Sequence, residues 1–362
     1  MEFRGTPGLV LPGGGARAAY QVGVLKAVAA VTGSRPLPFG AVSGISAGAI
    51  NATALVQRAD DFIEAVEALE RIWTGMRAGD VYEIDVARLQ VLFSRVRRPI
   101  ALLDNAPLGR LLRRELDPDA LGRVIAGGRL RGLAVTASNY TTGDATTFVQ
   151  ANAALHAWDH HRRSVQTRIS AEHLLASSAL PLLFPPQRVG ADWFVDGSLR
   201  MTAPLSPVIN LGADRILVIG VRHEALRPGV QQLFIPGLGE IGGYLLESIF
   251  AENLDADLER AQQINTMLGM LPTWRRNHTG RKRIEVMVMR PSSDVRVIAA
   301  RFSSRLPRSV RLFLRTLGGW GRDWRLPSYL LFEGVFASAL IELGYRDGLR
   351  HRPALEAFFA GS

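Results

Sequence analysis

Short, wholly apolar runs alternate along the chain with longer stretches whose apolar residues recur every three or four positions. The runs GLVL (8–11), FGAVS (39–43), LRGLAVTASN (130–139), ATTFVQ (145–150), DWFV (192–195) and DRILVIGV (214–221) read as strands. Between the first two, ARAAYQVGVLKAVAAV (16–31) has helical spacing through Tyr20, Val24 and Val28. DDFIEAVEALERIW (60–73) is an amphipathic helix with an acidic first turn. A further helical segment near 170–178 runs into a Pro-rich turn at 181–186. Strands alternating with helices predict an α/β domain with a mainly parallel sheet.

After 221 the pattern changes. RPGVQQLFIPGLGEIGG (227–243) is rich in Gly and Pro and marks a boundary. Beyond it the spacing predicts a long helix over 244–268, a strand at RIEVMVM (283–289) and several basic helices. The expected organisation is a catalytic domain over 1–225 and a basic, mostly helical extension over 226–362 that packs on it.

Composition narrows the chemistry. The chain of 362 residues contains no cysteine, which excludes disulfides, thiol nucleophiles and thiolate metal sites. No clustered His, Asp and Glu spacing points to a metal, and no cofactor is expected. The first residues have no basic segment followed by a long apolar run, so no secretory signal is read there. No apolar run approaches the ~18 residues of a membrane span. The expected location is cytoplasmic, with peripheral contact at the inner face of a membrane. The net charge of +10 is almost wholly arginine and uneven: no Asp or Glu lies between Arg4 and Arg58. Basic stretches fit an anionic membrane or a phosphorylated substrate; nucleic-acid-binding signatures are absent from the pattern.

Two glycine motifs carry the candidate chemistry. Gly13-Gly14-Gly15-Ala16-Arg17-Ala18 follows the first strand and opens the first helix. A dinucleotide site needs an acid about twenty residues on, where this chain has Arg35, Pro36, Leu37 and Pro38. A phosphate-binding loop fails for want of a following Lys and Ser or Thr. What remains is an anion site built from free N–H groups at a helix start. Gly44-Ile45-Ser46-Ala47-Gly48 is a G-x-S-x-G pentapeptide between the second strand and its helix, the pattern of a nucleophile elbow. Ser43 lacks the flanking glycines. A serine hydroxyl needs a base. Of the histidines at 156, 160, 161, 173, 223, 278 and 351, only His223, just past a strand, is placed like that of an α/β-hydrolase. The other candidate is Asp196, at the end of DWFVD and followed by Gly197.

In combination these residues resemble the patatin-like phospholipase family, whose hallmarks are G-G-G-x-R-G, G-x-S-x-G and a later D-G-[GA]. Residues 13–17, 44–48 and 196–197 match in order, and ASSALPLLFPP (176–186) and GADRILVIGV (212–221) are also similar to the family's segments. The resemblance covers about residues 6–225. It implies a three-layer α/β/α sandwich with a mainly parallel central sheet and a serine lipid acyl hydrolase working through a Ser46–Asp196 dyad without histidine. The same resemblance implies an oxyanion hole at Gly13, Gly14, Gly15 and Ala16, substrate contact by Arg17, and a phospholipid or other acyl-ester lipid as substrate. Ala18 stands where the family usually has Gly, and Ser198 where Gly or Ala is usual. Two other readings compete: acyl transfer or thioester cleavage on acyl-carrier or CoA esters, and a non-catalytic regulatory protein at a membrane. Lastly, RFSSRLPRSVRLFLRTLGGW (301–320) predicts a helix with Arg308, Arg311 and Arg315 on one face and Val310, Phe313, Leu314 and Leu317 on the other. Such a helix fits either an anionic bilayer surface or an apolar face packed on the core.

Overall fold

A computed structural model describes residues 5–84, 101–152, 162–223, 237–316, 318–320 and 324–360. Nine strands form one sheet: β1 (Pro7–Leu11), β2 (Ala41–Ile45), β3 (Gly132–Asn139), β4 (Ala145–Ala151), β5 (Arg162–Gln166), β6 (Gln187–Val189), β7 (Asp192–Asp196), β8 (Arg215–Ile219) and β9 (Glu285–Met289). Their order is β5-β4-β3-β2-β1-β8-β9, with β7 also beside β3 and β6 beside β7. Every pair from β3 through β2, β1 and β8 to β9 is parallel; β3–β4, β3–β7 and β6–β7 are antiparallel. The helices that matter for the site are α1 (Ala19–Thr32), α2 (Ala47–Val56), α3 (Phe62–Gly75), α4 (Ala106–Glu115), α5 (Ala171–Ser177), α6 (Leu238–Met270), α7 (Arg308–Thr316), α8 (Arg325–Leu330) and α9 (Gly334–Arg350).

The continuous apolar runs are explained by burial on both faces. Side chains alternate across a strand. Accordingly Leu9, Leu11, Val42, Leu133, Val135, Leu217 and Ile219 join one core cluster with α1, α2 and α3. Their neighbours Val10, Ala41, Ala134, Ile216 and Val218 join a second cluster with Leu205, Val208 and Leu254. A parallel sheet covered by helices on both faces is a three-layer α/β/α sandwich, the expected fold. Asp61 starts α3 by accepting the Glu64 N–H at 3.1 Å, as the acidic first turn led one to expect.

The described residues from 237 on are built into the same core. β9 pairs with β8 from Arg215↔Glu285 to Ile219↔Met289. α9 lies on α1, where the buried Tyr20 hydroxyl donates to Asp347 Oδ2 at 3.2 Å. The 33-residue α6 sends Phe250 to the first cluster and Leu254 to the second, so it spans the end of the sheet rather than one face. In α7, Val310 and Leu314 are buried in the first cluster while Leu312 and the arginines Arg308 and Arg315 are exposed. The apolar stripe expected at 310 and 314 is thus used in packing; Leu317 and the side chain of Phe313 lie outside the described residues. β5 was not legible, because RRSVQ is an edge strand that tolerates charge.

Candidate active site

β2 ends at Ile45, which pairs with Thr136 of β3. One position further along β3, Ala137 pairs with Asp196, the last residue of the antiparallel β7. The opposite edge of β3 is taken by β4 over the same residues, with Ala137 facing Thr146. β2 and β7 therefore lie end to end along one edge of β3, with their C-terminal ends meeting. Ser46 and Asp196 are separated by 150 positions in sequence and brought together by this register.

Ser46 has φ 56° and ψ −131°, a conformation that costs a non-glycine residue about 1–3 kcal/mol. The strand-to-helix turn is tight enough that a Cβ on Gly48 would sit 2.0 Å from the Leu11 carbonyl. A third serine holds the turn. The Ser46 N–H donates to Ser177 Oγ at 2.9 Å, and the Ser177 hydroxyl donates to the Thr136 carbonyl at 2.7 Å. Ser177 ends α5 with no exposed surface. Sequence reasoning passed over it; ASSALPLLFPP was noted only as a likeness, since nothing local separates Ser177 from Ser178. Ser177→Ala would leave a buried N–H and a buried carbonyl without this link. The expected result is a fall in kcat of roughly ten- to a hundredfold with KM little changed, and recovery in Ser177→Thr. Steady-state kinetics check it: a Ser177→Ala kcat within twofold of wild type would show that the turn holds unaided.

Asp196 has no exposed surface. Its Oδ1 accepts the Ser198 N–H at 2.9 Å, while Oδ2 is buried without a hydrogen-bond partner. Burial raises the carboxyl from its ordinary 3.8 to about 6, against the opposing pull of the hydroxyl of Ser46 and the N–H and hydroxyl of Ser198. The Ser46 hydroxyl is near enough to act on the carboxyl but does not meet full hydrogen-bond geometry at Oδ2, and such bonds commonly tighten only once substrate is bound. Gly197 is required sterically: a Cβ there would lie 2.1 Å from the Thr136 carbonyl. Ser198, where the family usually has Gly or Ala, places a second buried, unpartnered oxygen, that of its hydroxyl, beside Gly13.

The glycine-rich turn leaves β1 and enters a short 3₁₀ turn over Gly15–Ala18 before α1. Its first internal bond is Arg17 N–H to the Gly14 carbonyl, at 3.1 Å, so the N–H groups of Gly14, Gly15 and Ala16 precede any intrahelical acceptor. Gly15 has φ 52° and would carry a Cβ 2.4 Å from the Tyr329 carbonyl. Gly15 and Ser46 line one cavity. The glycines are thus demanded by protein neighbours, with Phe250 against Gly13 and Val221 against Gly14. The turn is held from below by Gln21, whose side-chain N–H donates to the Pro12 carbonyl at 2.8 Å, and Gln21 is in turn bonded to Asn51.

Arg17 departs from expectation. Its side chain is 1% exposed, with Nε and Nη2 donating to Ser328 Oγ at 2.9 and 2.7 Å and Nη1 to the Tyr329 hydroxyl at 3.1 Å. Glu247 lies 3.6 Å from the guanidinium and also binds Arg325 at 2.5 Å. A buried charge must be paired. Arg17 meets that need by fastening α6 and α8 over the glycine turn and does not line the cavity.

His223 Nδ1 lies 2.8 Å from the Pro291 carbonyl, away from the cavity lining. His156, His160 and His161 lie outside the described residues, and none of the described histidines lines the cavity that holds Ser46. Among the described residues no group of three or more His, Asp or Glu could hold a metal, and no helix is long and apolar enough to cross a membrane.

The class that the fold and the site define is a three-layer α/β/α protein with a serine on a strained strand-to-helix elbow. A family model, patatin-like phospholipase, matches residues 9–209, more than half of the chain. The chain belongs to that family, whose general chemistry is lipid hydrolysis. A search of curated proteins found no match. Among solved structures, VipD from Legionella pneumophila is similar at 14% identity and a TM-score of 0.35, covering 96% of this chain and 67% of its own. Human GIVD cytosolic phospholipase A2 is similar at 10% identity and TM-score 0.40, covering 99% and 61%. Its complex with methyl gamma-linolenyl fluorophosphonate inhibitor and terbium chloride is similar at 12% and 0.41, covering 100% and 60%. The chain spans about three fifths of the length of the human protein in both structures.

Proposed function

We propose that the protein is a serine lipid acyl hydrolase in which Ser46 is the nucleophile, Asp196 the base and the Gly13–Ala16 turn the oxyanion hole. The observation that carries this reading is the end-to-end meeting of β2 and β7, which brings a strained serine to a buried carboxylate with an unpaired oxygen. Ser46 Oγ attacks the ester carbonyl as its proton passes to Asp196 Oδ2. Charge gathers on the carbonyl oxygen, where one backbone N–H contributes about 3 kcal/mol. Collapse expels the alcohol, which takes the proton from Asp196 and leaves an acyl-serine. Water then attacks, again giving its proton to Asp196, which passes it to Ser46 Oγ as the bond to the acyl carbon breaks and the fatty acid leaves. Phospholipid is the proposed substrate, and the described residues from 237 on, expected as an extension, are proposed as part of the catalytic unit, because β9 and α9 complete its sheet and core. The test is labelling by a fluorophosphonate, which reacts with activated serines: modification of Ser46, with fatty acid released from phospholipid vesicles, is the expected result. A folded protein that shows neither would overturn the reading.

Peripheral contact with an anionic membrane belongs to the same proposal. Support comes from exposed Arg308 and Arg315 flanking exposed Leu312 on α7. Arg311 is half-buried, so its reversal would disturb packing; Arg308→Glu with Arg315→Glu is the cleaner variant. Each basic residue near an anionic surface contributes about 1 kcal/mol, so losing both should weaken liposome binding roughly thirtyfold. Hydrolysis of a soluble ester should continue. Unchanged sedimentation with anionic liposomes at low salt would remove α7 from the membrane contact.

A further inference from the structure

The cavity that holds Ser46 runs along α2. Ala47, Ile50, Asn51, Ala54 and Gln57 all line it, the spacing of a single helix face. Ten positions at ~1.5 Å rise give a length of about 15 Å from Ala47, next to the nucleophile, to Gln57. The locus open to the centre of a water molecule is about 70 Å³, a thread over that length, so the channel is one alkyl chain wide. Apart from Glu115, beside Gln57 at the far end, and a few uncharged polar groups its walls are aliphatic and aromatic side chains, which suits an acyl chain.

A second, larger pocket of about 470 Å³ lies beyond the far end. Arg58, Arg71, Asp80 and Arg114 line it, so its character is polar. Ile72 and Met76, at the end of α3, and Leu111 and Glu115 of α4 line both spaces. A partition one side chain thick therefore separates the acyl tube from the polar pocket. All four residues are half-exposed, as a wall with one face toward solvent must be.

We infer that Ile72, Met76 and Leu111 are the chain-length stop of this enzyme. The inference rests on the hydrolase reading above and adds to it the acyl length that the site accepts. Carbons in an extended chain advance ~1.25 Å each when C–C bonds are ~1.52 Å, so about twelve fit before the wall. A longer chain has to displace the wall or leave its terminal methylenes among arginines and water. Acyl esters of medium chain length are thus the preferred substrates.

Two measurements on Met76→Ala/Leu111→Ala test this. The first is kcat/KM on p-nitrophenyl esters from butanoate to hexadecanoate. The second, independent of catalysis, is displacement of a fluorescent fatty acid by saturated acids of increasing length, in a Ser46→Ala background. For the unaltered wall, both quantities should rise with length up to dodecanoate and then fall roughly tenfold or more by hexadecanoate. In the wall variant that fall should shrink to roughly threefold or less. Half-exposed side chains tolerate truncation, and Met76→Ala alone serves if the double variant does not fold. A profile with no break in wild type, or the same break in the variant, would overturn the stop. The expected binding profile without hydrolysis of any ester would support the stop and sink the hydrolase reading instead.

Discussion

Ser46→Ala should abolish hydrolysis of a short p-nitrophenyl ester, lowering kcat by roughly four orders of magnitude or more, the loss seen when a nucleophile is removed from a proton-transfer unit. The fold should survive. The Ser46 contact that structure depends on is its N–H to Ser177, which alanine keeps, and alanine is no more strained than serine at φ 56°. Fluorophosphonate labelling should vanish in the same variant. Circular dichroism and melting temperature provide the control, since loss of a reacting group at a strained site leaves stability unchanged or slightly raised. A folded Ser46→Ala protein with wild-type kcat would show that chemistry lies elsewhere.

Asp196→Asn should be nearly as inactive as Ser46→Ala, and the double variant no worse than either. It should also melt a few degrees higher. Burial holds the Asp196 carboxyl at about 6 rather than 3.8, so at neutral pH the folded protein keeps an ionised group in a place that favours the neutral acid. That difference corresponds to about 3 kcal/mol at most, which asparagine relieves. The pH behaviour follows with opposite signs for activity and stability. The folded chain binds this proton more tightly than the unfolded chain, so the stability from this group is fully present below the ordinary carboxylate range. It is lost as pH rises through about 6. Activity requires the ionised base, so kcat/KM should fall as pH drops through the same value. His223→Ala should alter the rate by less than about twofold, since its Nδ1 faces the Pro291 carbonyl. An inactive but folded His223→Ala protein, or an active Asp196→Asn protein, would restore a histidine base.

Much of the fold was legible because its elements are locally encoded. The apolar runs GLVL and ILVI and the mainly apolar GLAVTASN became β1, β8 and β3 because helices cover both sheet faces. The long helix was expected over 244–268 and runs Leu238–Met270; its start falls inside the Gly-rich segment taken as a boundary, part of which lies outside the described residues. The turn glycines were found by motif, although the reason for them was read differently. Proximity to substrate was expected, and contact with Phe250, Val221 and Tyr329 is what the packing demands. Those three neighbours lie over 200 positions away in sequence, beyond the reach of any periodicity.

Sequence by itself determined the α/β alternation, the serine elbow, the Asp-Gly turn and the glycine-rich helix start, because each is a short pattern whose backbone demands are met by adjacent residues. Tertiary structure decided what those patterns do together. The register of β3 is what sets the ends of β2 and β7 against each other, and only pairing across 150 positions can specify it. Arg17 shows the same limit from the other side. Its motif marks it for substrate, yet its guanidinium is spent on Ser328, Tyr329 and Glu247, because a charge drawn into the core must find partners wherever the chain's return brings them.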